Sequence, residues 1–241
     1  MIQVENFSKS YGDVLAVSGL SFEATPGEVL GLVGPNGAGK TTTLRALCGI
    51  IRPTEGRLAI AGYDLDDQPI EAKAALAFIP DDPEHFDHLT VEEHLRFVGR
   101  VYGVADPGSR IEHLFEELDL LEHRGKLPSE LSRGMSQKLA IACGLLHEPE
   151  VLLLDEPLTG LDPAAIRRMK ATIKERAEAG ATVMLSSHLL HLVEELCTRI
   201  LVLQNGKKVA AGTIAEIVSH RPELEGQGLE EVFLALTETG S

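Results

Sequence analysis

The run Gly34-Pro-Asn-Gly-Ala-Gly39-Lys40-Thr41 has the residue types and spacing to hold a chain of phosphates. Its glycines let successive backbone N–H groups turn toward one anion. The stretch Thr41–Ile50 reads as a helix, and a helix beginning near Lys40 adds its positive dipole end. Lys40 is placed to reach the β/γ-phosphates, and the Thr41 hydroxyl to hold Mg²⁺. The expected phosphate-binding set is therefore Gly34, Pro35, Asn36, Gly37, Ala38, Gly39, Lys40, Thr41 and Thr42. The required flanks are present, since the apolar run Val29–Val33 precedes the loop. A second feature is Val151-Leu-Leu-Leu-Asp155-Glu156, an apolar strand ending in two acids. Such an ending puts both carboxylates at the edge of a parallel sheet where ligands bind. Asp155 is suited to complete a magnesium shell, and Glu156 to polarise an attacking water. Together they predict Mg-ATP binding and hydrolysis.

The elements that must carry these residues are legible in outline. Ile2–Phe7, Ser21–Ala24, Val29–Val33 and Arg57–Ala61 read as strands. From Thr90 the pattern turns helical, with Thr90-Val-Glu-Glu93 as a capping box and Ile111, Leu114, Phe115 and Leu118 on one helical face. Apolar strands return at Val151–Leu154 and Ala181–Leu185, separated by a helix over Ala164–Ala179. Ile200–Gln204, Asn205-Gly206 and Lys207–Ala211 form a two-residue hairpin signal. The expected fold is α/β: a phosphate-loop core with a mainly parallel sheet, an N-terminal antiparallel β subdomain and an inserted helical subdomain. Residues 1–80 and 150–218 are assigned to the core with its β subdomain, 81–149 to the helical insertion and 219–241 to an amphipathic tail. In that tail Leu229, Val232, Phe233 and Leu236 recur at helical spacing.

Bulk properties narrow the class. The 241 residues suit one large domain, and the net charge of −15 opposes a general nucleic-acid binder, which needs a basic stripe. Apolar stretches such as Leu139–Leu146 fall short of a membrane span, and the first residues, MIQVENFSKS, do not read as a secretion signal. A cytoplasmic protein is expected. Cys48, Cys143 and Cys197 share no ligand spacing and are expected to be reduced and buried. His85-x-x-His88 lacks supporting ligands for a metal site.

Leu131-Ser-Arg-Gly-Met135, about twenty residues before the acid pair, completes a pattern. With Ser10-Tyr-Gly12, the phosphate loop, Val151–Glu156, Gly160-Leu-Asp-Pro163 and Ser186-Ser-His188, the chain resembles the ATP-binding cassette (ABC) transporter family, over nearly its whole length. The resemblance implies that Tyr11 stacks on adenine and that His188 lies near the γ-phosphate, donating to it or positioning water. Ser132 and Gly134 match signature positions that contact ATP held by the opposite subunit, and Asp162 matches the loop crossing between subunits. Asp81 stands where the family usually has glutamine and is expected to bind Mg²⁺ as a hard oxygen ligand. Arg133 replaces a usual glycine, and Met135 a usual glutamine.

The resemblance further implies a motor subunit of an ABC transporter, peripheral on the inner membrane face, with ATP and Mg²⁺ as cofactors. Its partners would be a second ATP-binding subunit and a separate transmembrane permease. The tail Gly228–Thr237 resembles those of ABC-2-type exporters, so export is the expected direction. Two other readings stand beside it: a soluble ABC ATPase acting on nucleic acid or the ribosome, and a weakly hydrolysing nucleotide-binding regulator.

Overall fold

Val29–Val33 forms a strand, β3, with all 5 residues buried. Its residues divide by parity between two apolar cores: Val29 and Val33 face one, Leu30 and Leu32 the other. The neighbouring strands behave alike. In β7 (Val151–Asp155) Leu152 and Leu154 join the first core, while Val151 and Leu153 join the second. This two-sided burial is what a central parallel sheet requires. Each buried leucine contributes about 1.5–3 kcal/mol.

The computed structural model describes residues 1–219, 224 and 226–238. Adding β6 (Leu76–Ile79), β8 (Thr182–Ser186), β9 (Arg199–Gln204) and β10 (Lys207–Gly212) gives a 6-stranded sheet of order β10-β9-β3-β8-β7-β6. It is parallel except at β10, which returns from β9 through the anticipated Asn205-Gly206 turn. The second sheet is 4-stranded and antiparallel, built from β1 (Ile2–Tyr11), β2 (Val14–Ala24), β4 (Glu55–Ile60) and β5 (Tyr63–Asp64). It shares the second core with α1 (Lys40–Leu47), through Phe7, Leu44 and Leu58.

The first core lies between the other sheet face and helices. These are α3 (Val91–Val101), α4 (Pro107–Glu117), α5 (Arg133–Leu145), α6 (Pro163–Glu178) and α7 (Leu190–Leu196), after the short α2 (Pro69–Ala74). The predicted capping box of α3 is formed: Thr90 N donates to Glu93 Oε2 at 2.8 Å, and Glu93 N to Thr90 Oγ1 at 3.3 Å. The chain continues through α8 (Ile214–Ser219) to α9 (Leu229–Glu238), which packs on α7 through buried Leu229, Val232 and Leu236. Within the tail read as 219–241, residues 220–223, 225 and 239–241 lie outside the described residues.

Some local details differ from the sequence reading. β1 and β2 run on to form a hairpin around Gly12-Asp13, where the sequence suggests only Ile2–Phe7 and Ser21–Ala24. Strand-to-strand hydrogen bonds carry the polar stretch Ser8–Ser10, which has no apolar alternation to announce it. The sequence also gives no warning of β6 or α2, because 4 and 6 residues are too few to show a period. The cysteines are free, with Cys48 buried and the other two partly so. Burial pushes the Cys143 and Cys197 thiols up to about 12, so they behave as apolar groups.

Candidate active site

The loop between β3 and α1 is shaped by close contacts that exclude side chains. A Cβ at Gly34 would stand 2.5 Å from the Leu203 carbonyl oxygen at the end of β9. Gly39 caps α1 with φ 101°, and a Cβ there would lie 2.9 Å from both Ala16 O and Val17 Cγ2 of β2. The loop is thus clamped between the two sheets, which fixes the direction of its N–H groups. Lys40 is almost buried, and its Nζ donates to Gly34 O at 2.7 Å and Pro35 O at 3.3 Å. Burial lowers its pKa, while Glu156 and then Asp155 act to raise it. Both acids therefore act electrostatically on the loop lysine, across more than a hundred residues of sequence. Thr41 is exposed and Thr42 partly so, at the start of α1.

Asp155 ends β7, opposite Ser186 at the end of β8, and accepts a hydrogen bond from the Ser186 hydroxyl. Glu156 follows with φ 50°, a left-handed conformation that costs a non-glycine residue about 1–3 kcal/mol and is concentrated at functional sites. Its amide donates to Ser186 O at 3.1 Å, and its Oε2 accepts from Ser187 Oγ at 3.2 Å. His188 Nδ1 lies 2.9 Å from the same Oε2, so the carboxylate selects the tautomer with hydrogen on Nδ1. His188 remains well exposed beside this partly buried acid. Sequence reading singled out His188 and missed Ser186 and Ser187. The signal was present: two hydroxyls ending an apolar strand, as two acids end its neighbour.

Tyr11 ends β1, half exposed, and shares a cavity of about 360 Å³ with Ala16 and loop residues 36–42. Lys9 Nζ sits 5.1 Å from the Tyr11 ring centroid.

Ser132 and Gly134 begin α5. Ser132 is the exposed N-cap, its hydroxyl accepting from Met135 N at 3.3 Å. A Cβ on Gly134 would come within 3.1 Å of Gly160 O, so α5 starts against the loop that follows Glu156. Asp162 caps α6: Oδ1 accepts from Ala164 N at 2.8 Å and Ala165 N at 2.9 Å. Those bonds, that from Ala165 first, hold its carboxyl below the usual range. Asp81 does not stand as an isolated carboxylate, because Arg133 Nη2 donates to its Oδ1 at 3.0 Å. His85 is likewise engaged, with Nε2 at 2.9 Å from Ser136 Oγ.

A phosphate loop at the carboxyl edge of a parallel sheet, an acid pair on the next strand but one, and an inserted helical subdomain define a phosphate-loop NTPase. Residues 17–159 match the ABC transporter family, and the chain belongs to it as an ABC ATPase subunit. The Nod factor export ATP-binding protein I of Paraburkholderia xenovorans is 38% identical over 224 residues, covering 90% of this chain and 72% of that protein. A solved ATP-binding subunit of an ABC transporter superposes with a TM-score of 0.92 at 34% identity, covering 98% of this chain and 99% of that one. A dimeric ATP-binding cassette bound to ADP and Pi shares the fold, with a TM-score of 0.81 at 24% identity over 89% of this chain and 99% of that one.

Proposed function

We propose that the chain hydrolyses ATP between two paired subunits and thereby drives a separate membrane permease in the export direction. The observation that carries hydrolysis is Glu156: a strained, partly buried carboxylate paired with His188 and Ser187, near enough to the loop lysine to act on its charge. ATP lies with its base on Tyr11 and its phosphates along residues 34–42, Lys40 turning from the loop carbonyls to the β/γ-phosphates. Glu156 accepts a proton from water as the water oxygen bonds to the γ-phosphorus. The bond from that phosphorus to the β–γ bridging oxygen breaks, leaving ADP and phosphate. His188 holds Glu156 in place and faces the same water or phosphate. The hard oxygens of Thr41 and Asp155 fit Mg²⁺, which supplies charge neutralisation on the phosphates when bound. Ser132 and Gly134 face the partner subunit's ATP, and the Asp162 loop crosses between subunits. The export relative and the resemblance of the tail support the direction, and the dimeric cassette with ADP and Pi supports the pairing.

The direct test is phosphate release from ATP by the purified chain. Release is expected with Mg²⁺ and is lost when a chelator removes it. Binding of ATP without Mg²⁺-dependent release would leave only the regulator reading.

No described helix is long and apolar enough to cross a membrane; in this reading the permease is a separate partner. The loop after β6 suits contact with it. Asp82, Glu84 and Asp87 are exposed there, beside an exposed pair of rings, Phe86 and Phe97, whose centroids are 5.3 Å apart. Cytoplasmic loops of membrane proteins are rich in Lys and Arg, which gives complementary charge. Glu84→Lys with Asp87→Lys is expected to reduce co-purification with the permease while basal ATP hydrolysis is retained. Unchanged co-purification would remove this loop from the interface.

A further inference from the structure

The segment leaving β6 is strapped to one face of α5 by three side chains at helical spacing. Arg133, Ser136 and Gln137 occupy positions i, i+3 and i+4, which lie together on a helix. Arg133 reaches Asp81, Ser136 meets His85, and Gln137 Nε2 donates to Pro80 O at 3.3 Å. Of these straps only the first is an ion pair.

Arg133 is poorly placed by local rules. It opens α5, where the helix dipole disfavours a cation, and the first turn of α5 carries no acid to offset it. Compensation comes from 52 residues away, in Asp81. The arginine stem also lies over Gly160, where a Cβ would meet its Cδ at 3.2 Å. Arg133 therefore joins the start of α5, the loop after Glu156 and the exit of β6. That exit is the same sheet edge as the acid pair, since Ile79 pairs with Leu154, the residue before Asp155.

We infer that Arg133 and Asp81 are a positioning pair, fixing the first turn of α5, with Ser132 and Gly134, against the sheet edge bearing Asp155 and Glu156. The consequence for turnover rests on the hydrolytic function proposed above; the tether itself does not. Asp81 acts on the reaction through Arg133 rather than as a metal ligand. The side chains are 55% and 45% exposed, so the pair is modest in strength and sensitive to salt.

Amide hydrogen exchange on the nucleotide-free chain tests the tether directly. Asp81→Asn and Arg133→Gln should each speed exchange at residues 131–137 by about two- to five-fold, the range for an exposed pair. The double variant should match either single, since both remove one interaction. Exchanging the charges, Asp81→Arg with Arg133→Asp, should bring the rate back toward that of the native chain. High salt should bring the native chain toward the singles. In the ATPase assay kcat should follow the same non-additive pattern, with the half-saturating Mg²⁺ concentration unchanged. Unaltered exchange in the singles, or losses that multiply in the double variant, would overturn the inference. So would a raised Mg²⁺ requirement in Asp81→Asn alone, which would restore Asp81 as a metal ligand. The exchange measurement needs no nucleotide, so a native chain that fails to hydrolyse ATP would count against the proposed function and leave the tether readable.

Discussion

Glu156→Gln is expected to bind ATP with Mg²⁺, to release phosphate about 10²- to 10⁴-fold more slowly, and to accumulate as a dimer. The amide is nearly isosteric and can keep hydrogen bonds to Ser187 and His188, but it cannot take a proton from water. Lys40, Thr41 and Asp155 are untouched, so nucleotide affinity should persist. The dimer follows from a count of donors. In the proposed complex the loop, Lys40 and the acid pair account for the inner face of the triphosphate. Ser132 and Gly134 open a helix, and Ser132 is exposed, so this turn is suited to the outer face of an ATP held by a second copy. ATP then binds the dimer better than the monomer, and blocking hydrolysis lets the dimer persist. Light scattering on the eluting protein should give dimer mass with Mg-ATP and monomer mass without nucleotide. Adding Ser132→Arg should abolish the dimer by steric block and leave the monomer's ATP affinity nearly unchanged. A double variant that still dimerises on ATP would rule out completion of the site in trans.

Lys40→Ala should weaken ATP binding about 10- to 100-fold, consistent with one or more charge-assisted hydrogen bonds at about 1.5–3 kcal/mol each. The lysine is worth this much because it is nearly buried, where its charge is less screened than at the surface. The same burial lowers its pKa, so the lysine is held at a cost for which the neighbouring acids compensate in part. Alanine also leaves Gly34 O without its 2.7 Å donor, so a small loss of stability is expected. Isothermal titration with ATP, alongside thermal unfolding of the free chain, separates the two effects. Native-like affinity in Lys40→Ala would remove the lysine from the phosphate grip.

Much of the candidate site was legible in the sequence because it is built from consecutive residues. The phosphate loop works through backbone direction, and backbone direction is set locally by glycine spacing and by the strand and helix on either side. The acid pair was legible for a related reason: an apolar run must end at a sheet edge, so Asp155 and Glu156 had to lie there. The capping box at Thr90 and the Asn205-Gly206 turn are local in the same sense.

What only the tertiary structure decided is which distant groups touch. A strand buried on both faces reads the same whatever its neighbour, so neither strand order nor register is written in β3, β7 or β8. Their order puts Ser186 on Asp155 and His188 on Glu156, contacts between the ends of two adjacent strands. The Asp162 cap of α6 is local by contrast, its partners Ala164 and Ala165 lying two and three residues further along the chain. Two of the departures from the family pattern, Asp81 and Arg133, looked unrelated along the chain. They meet because the exit of β6 runs along one face of α5, and an ion pair depends on distance in space rather than separation in sequence.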